Sequence, residues 1–179
     1  MQSSPHRYSP PAVLLHWLMA VGLIGAVAVG WYVSGLPMGL QRLKLINWHK
    51  WFGITLLLLA VLRLAWRGTH RAPPDLPMPR WQSRTAHGVH HLLYLLMFAV
   101  PLLGWSYSNA AGFPVVWFGV LPLPDFVGKN KELADVLKGL HKVAAWSLVA
   151  LILAHVGAAL KHQFMDRDRL LDRMKFGKD

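Results

Sequence analysis

Residues 137–160 read LKGLHKVAAWSLVALILAHVGAAL. A membrane-crossing helix takes about 20 mostly apolar residues, and this stretch supplies them with one histidine toward each end. His141 and His155 are fourteen residues apart. At about 3.6 residues per turn that is close to four turns, so both side chains point the same way. At about 1.5 Å per residue they lie roughly 21 Å apart along the axis. One metal ion cannot take both, whereas two stacked sites can each take one.

Three more stretches qualify as spans: about 11–33, 48–66 and 85–106. With 137–160 they predict an all-α integral membrane four-helix bundle, one domain over residues 1–179. Composition agrees. Apolar residues make up 54% of the chain and charged residues 15%, and the apolar residues come in blocks. Trp17, Trp31, Trp48, Trp51, Trp66, Trp105 and Trp146 sit near the predicted span ends, as an interfacial aromatic belt requires. The first block is long, opens with Pro10-Pro11 and lacks a small-residue cleavage site, so it is expected to be a retained span. The four prolines at 73, 74, 77 and 79 exclude regular helix from the second link. Residues 109–136 are a long link of mixed polarity, and the charged tail from Lys161 is expected to be a solvated helix end. The formal charge of +11 comes mostly from residues flanking the spans, where they meet lipid headgroups, so no nucleic-acid partner is expected.

There is no cysteine. That excludes disulfides, iron–sulfur clusters, Cys-ligated zinc and covalent haem attachment through C-x-x-C-H. Of ten histidines, His6 and His70 fall outside the spans, while His16, His49, His87, His90, His91, His141, His155 and His162 lie in or beside them. Ionisable residues in spans are costly and usually functional. Span order and direction match the depths of four. His16 opens the first helix and His155 ends the fourth, at the face carrying both termini; His49 and His141 lie at the opposite face. The expected axial pairs are therefore His16–His155 and His49–His141, each holding one non-covalent haem b. A proton relay or a set of buried hydrogen-bonding groups is the plainer alternative. A zinc or copper transporter would need carboxylate or sulfur near midspan, and no Asp, Glu or Cys lies inside any span.

Two further residues fall in step. Gly30 is fourteen residues after His16 and Arg63 fourteen after His49. Gly30 either lets a macrocycle approach the backbone or serves helix packing. Arg63 either pairs with a haem propionate or snorkels to the interface.

These segments carry a family resemblance: Tyr8-Ser9, Leu15-His16-Trp17, Asn47-Trp48-His49-Lys50, Arg63-Leu64, Ala86-His87-Gly88-Val89-His90, Leu140-His141, and Ala154-His155 with His162. Over nearly its whole length the chain resembles bacterial cytochrome b561, the small dihaem membrane proteins associated with superoxide oxidation. The resemblance implies bis-histidine haems b, superoxide as electron donor, ubiquinone as acceptor, and a quinone pocket at His90 and His162, with His87 and His91 crowding the same helix start. The same architecture also serves as the cytochrome subunit of membrane hydrogenases and formate dehydrogenases. Two functions are therefore expected: a superoxide:ubiquinone oxidoreductase needing no protein partner, or an electron-carrier subunit for a partner dehydrogenase or hydrogenase. The links on the His49–His141 side carry seven Lys and Arg against Asp125, Glu132 and Asp135, which would attract a small anion or simply meet headgroups.

The side holding both termini carries twelve Lys and Arg and the other side seven. By the positive-inside rule both termini are cytoplasmic, in a bacterial inner membrane. Reporter fusions after Asp179 and between Pro73 and Pro79 are expected to report cytoplasm, and fusions near Lys129 the periplasm; the swapped pattern would reverse the assignment.

Overall fold

A computed structural model describes residues 7–176. His6, Lys178 and Asp179 lie outside the described residues. Four helices form the bundle: α1 (Pro10–Ser34), α2 (Leu40–Thr69), α3 (Arg80–Ala110) and α4 (Lys131–Lys161). All four are long and apolar enough to cross a membrane. In lipid a helix satisfies its own backbone hydrogen bonds, so apolar runs of this length take no other open form. Pro10 and Pro11 open α1, where a missing N–H costs nothing. Asn130 caps α4 by accepting from the Leu133 amide at 3.0 Å. α1 lies along α2 and α3 along α4, with contacts between α2 and α3 joining the pairs.

Met19, Ala60, Met97 and Leu148, one from each helix, form the buried centre. The outward side chains are apolar as well: Ile24 is 70% exposed and Leu153 67%. That inversion suits a lipid surround.

Each helix overruns its apolar span. α2 begins at Leu40 rather than near Trp48, because a polar first turn costs nothing where it leaves the hydrocarbon; the Arg42 guanidinium there donates to the Leu36 carbonyl at 2.8 Å. α4 begins at Lys131 for the same reason. The long link holds a small antiparallel hairpin, β1 (Val116–Trp117) and β2 (Leu121–Pro122). Phe118 and Gly119 turn it with φ of 51° and 75°. Two indoles anchor the hairpin to α2: Trp51 donates to the Val116 carbonyl at 2.7 Å, and Trp117 to the Thr55 hydroxyl at 3.3 Å. The prolines do keep the second link irregular. Asp75 pins it to α3, accepting from Ser83 at 3.0 Å and His87 at 2.9 Å. The His87 bond, then the Ser83 bond, hold the Asp75 carboxyl below the ordinary carboxylate range. This small contribution is present above the ordinary carboxylate pKa and is lost as pH falls through the depressed one.

The tail is not a solvated helix end. After α4 the chain makes a π-helical turn (His162–Asp166), passes through Arg167 and Arg169, both left-handed, and ends in a 3₁₀ turn (Leu170–Met174). That turn folds back over the bundle end. The Met174 carbonyl accepts from the Trp17 indole at 2.9 Å, the Arg173 carbonyl from the Tyr8 amide at 3.2 Å, and the Arg173 guanidinium reaches the Pro74 carbonyl at 2.7 Å. The tail thus ties α1 and the α2–α3 link to α4.

Ala60 is fully buried where all four helices meet. Ala60→Leu is expected to overpack this layer and cost about 1–3 kcal/mol, read as a lowered thermal midpoint in detergent. An unchanged midpoint would mean that the centre is loosely packed.

Candidate functional site

The fourteen-residue interval found in α4 recurs in every helix: His16 and Gly30 in α1, His49 and Arg63 in α2, His90 and Gly104 in α3, His141 and His155 in α4. Two layers result, each drawing one residue from each helix. The layer toward the hairpin holds Gly30, His49, Gly104 and His141. The layer toward the termini holds His16, Arg63, His90 and His155.

In the hairpin-side layer the His49 and His141 ring centroids are 6.1 Å apart, with planes at 86°. Imidazole nitrogens bind metal ions at about 2 Å, so two rings facing one ion from opposite sides have centroids roughly 6 Å apart. Each ring is held by the neighbouring helix. His49 Nδ1 lies 3.0 Å from the Ala26 carbonyl, and His141 Nδ1 2.9 Å from the Val100 carbonyl. A carbonyl only accepts, so Nδ1 carries the proton on both rings and Nε2 keeps its lone pair. This is the usual second-shell arrangement of a metal-binding histidine.

The glycines make the approach possible. A Cβ at Gly30 would lie 2.8 Å from His49 Cε1, and one at Gly104 3.0 Å from His141 Cε1. Each glycine stands four residues after the carbonyl that holds the ring, so the same device appears on α1 and on α3. Gly30 therefore makes room for the imidazole itself; that is a different task from admitting a macrocycle. Gly104 escaped the sequence reading, although its distance from His90 was visible.

The terminus-side layer is built otherwise. The His16 and His155 centroids are 6.3 Å apart at 66°. Nδ1 of His16 is buried without a hydrogen-bond partner among the described residues. His90 stands 5.3 Å from His155 at 64°, so α3 brings a third imidazole to this level. The Arg63 and Arg67 guanidinium groups lie 5.5 and 5.9 Å from the Tyr94 ring centre. Two cations beside a histidine pair, at the edge of a membrane, can hold carboxylates of a bound group.

The remaining candidates separate by depth. His162 is buried; its Nε2 meets the Gln82 amide nitrogen at 3.0 Å, and its Nδ1 bonds the Asp168 carboxylate. Gln82 is eight residues before His90 on α3, about 12 Å along the axis. His90 and His162 therefore lie at different levels, one beside His155 and the other beyond it. His87 is tied to Asp75. His91 is exposed and bonds back to the His87 carbonyl at 2.7 Å. Gln82 and Asp168 were not legible as site residues, because no spacing links them to His162 until the tail folds back.

Opposed imidazoles with free Nε2 atoms fit haem iron, and comparison with known proteins points the same way. A family model described as prokaryotic cytochrome b561 matches residues 7–177. Cytochrome b561 homolog 2 of Escherichia coli is 36% identical over 176 residues, covering 96% of this chain and 93% of that protein. Cytochrome b561 homolog 1 of the same organism is 31% identical, covering 94% and 97%. A probable superoxide oxidase, CybB, of Yersinia pestis is 30% identical, covering 94% and 95%. The match embraces all four helices and both histidine layers, and the chain belongs to the prokaryotic cytochrome b561 family of haem-binding, electron-transferring membrane proteins.

Proposed function

We propose that this chain holds two haems b, one between His49 and His141 and one between His16 and His155, and moves electrons from superoxide at the hairpin end to ubiquinone at the terminus end. The observation that carries the reading is the pair of opposed imidazoles at 6.1 and 6.3 Å, one in each layer. Superoxide as donor is also supported by the likeness to a probable superoxide oxidase.

Held between two imidazoles, haem b would supply one-electron chemistry. The protein's residues do the rest. Nδ1 bonds to Ala26 and Val100 fix the hairpin-side rings. Arg63 and Arg67 are placed to neutralise propionates at the other layer. Lys50, next to His49, holds its ammonium 3.3 Å from the Phe113 carbonyl. It adds to the positive hairpin end that would draw an anion inward. The overall balance is two superoxide ions, one quinone and two protons giving two O₂ and one quinol. Electron entry needs no proton, whereas quinol formation needs two. The basic count supports cytoplasmic termini; superoxide would then be met in the periplasm, and His162 would lie at the end where protons are consumed.

Purified protein is expected to carry two haems b per chain with low-spin spectra. His49→Ala or His141→Ala should remove one haem and His16→Ala or His155→Ala the other. One haem in fully loaded protein would overturn the arrangement. Gly30→Leu and Gly104→Leu should displace His49 and His141 and lower hairpin-side haem occupancy, with the other haem retained; full occupancy in both would show the glycines to be incidental. The protein alone should reduce added ubiquinone when supplied with superoxide. Haem reduction without quinone reduction would instead favour a carrier subunit serving a partner dehydrogenase.

A further inference from the structure

We infer that Asp168 is a positioning residue that orients His162 for proton delivery to quinone, with Gln82 holding the delivering nitrogen until quinone takes its place. The inference rests on the quinone reading above.

His162 is 7% exposed, the most enclosed histidine among the described residues, and lies outside both histidine layers. Both its ring nitrogens are engaged. The Asp168 carboxylate can only accept, so it takes the Nδ1 proton. The Gln82 amide nitrogen donates to Nε2 at 3.0 Å. This is a neutral histidine of fixed tautomer, with Nε2 facing α3. On protonation Nε2 becomes a donor, and Gln82 must present its carbonyl oxygen instead. A quinone carbonyl oxygen is an acceptor of the same kind, so it can replace Gln82 at Nε2 and receive the proton there.

The chain goes out of its way to build this pair. The π-helical turn and the left-handed Arg167 swing Asp168 back beneath His162, and the Asp168 amide donates to the His162 carbonyl at 3.2 Å. Left-handed backbone is uncommon for residues other than glycine, and π-turns cluster at functional sites. The second Asp168 oxygen accepts from the Leu170 amide at 3.1 Å, which fixes the carboxylate's direction. Asp168 itself is only part-buried, so it faces both the ring and water.

Three charged or titratable groups bear on His162. Asp168 is the nearest. Asp166 has a carboxylate oxygen 3.5 Å from Nδ1, but Lys161 binds that carboxylate at 2.8 Å and offsets it. From α3 the contact is the neutral Gln82. Asp172, on the 3₁₀ turn, is already paired with Arg169 and Lys175. Asp168 is therefore the carboxylate bonded directly to the ring, and it fixes the proton on Nδ1. In the transfer, the Nε2–H bond breaks and an O–H bond forms on quinone, with the electron arriving from the haem side. Water restores the His162 proton, and a second cycle completes the quinol.

The test is superoxide-driven ubiquinone reduction in nanodiscs across a range from about pH 6 to about pH 9, bracketing histidine titration, with Asp168→Asn and Asp168→Glu. Both variants should keep the two haems and their reduction by superoxide. Asp168→Asn should slow quinone reduction about tenfold at the alkaline end. Its pH profile should also change, because the carboxylate that fixes the Nδ1 proton is gone. Asp168→Glu should restore the profile. Wild-type rate and profile in Asp168→Asn would overturn the inference, as would a uniform loss that Asp168→Glu does not rescue. Histidine ¹⁵N NMR of the reduced wild-type protein provides a readout free of turnover: His162 should carry its neutral-state proton on Nδ1, and finding it on Nε2 would also overturn the inference. A wild type that reduces no quinone removes the functional reading itself, an outcome distinct from failure of Asp168 alone.

Discussion

Two imidazoles must meet across a helix bundle, from opposite sides, at two depths. An isolated helix at about 3.6 residues per turn drifts off a fourteen-residue repeat by roughly forty degrees. A left-handed bundle, with an effective repeat of about 3.5, removes that drift. A fourteen-residue interval is therefore the one that keeps two residues of a coiled helix on a single face. The midpoints of α3 and α4 follow the same rule: Met97 lies halfway from His90 to Gly104, and Leu148 halfway from His141 to His155. Both belong to the buried centre. The packing that stabilises the bundle is thus also what aligns the layers.

The two layers solve different problems. On the hairpin side the imidazoles are fixed by carbonyls of helix backbone, which cannot titrate or swing away, and the glycines let the rings come close. On the terminus side the surroundings are ionisable: His90 stands beside His155, and Arg63 and Arg67 flank Tyr94. A layer built from charged and polar groups responds to protons and to anionic substituents, while one built from backbone does not. That asymmetry is the one the proposed reaction calls for, with electron entry and proton-coupled exit at opposite ends.

Much of this was legible in the sequence. Span length and the histidine depths are one-dimensional properties, and the opposed pairs His16–His155 and His49–His141 emerged at matching levels. The residues that escaped were of two kinds. Gly104 obeyed the same interval, but a glycine carries no chemical mark; His90 was named as a quinone-pocket candidate, and its place in register beside His155 was hidden among three histidines within residues 87–91. Gln82, Asp168 and the left-handed arginines depend on the tail returning to the bundle. No local propensity favours left-handed arginine, so tertiary contact decided it. Helix ends were also underestimated, since hydropathy measures the hydrocarbon crossing and α2 and α4 continue into water.

The layer between the sites constrains the direction of the chemistry. It consists of Met19, Ala60, Met97 and Leu148, packed by Leu23, Leu59, Leu93, Leu96, Phe98, Val100 and Ile152, with Tyr94 the one titratable side chain of this group. Tyr94 turns its ring toward Arg63 and Arg67, on the terminus side. With haem held by each histidine layer, an electron would pass across such a centre. A proton cannot, because each transient charge would have to be carried through apolar surroundings without a partner. Any reaction that consumes protons must therefore draw them from the end where it occurs. At the terminus end, Asp168 is open to water and bonded to a buried histidine beyond the nearer histidine pair. The apolar centre that holds the helices together thus also separates the two ends for protons.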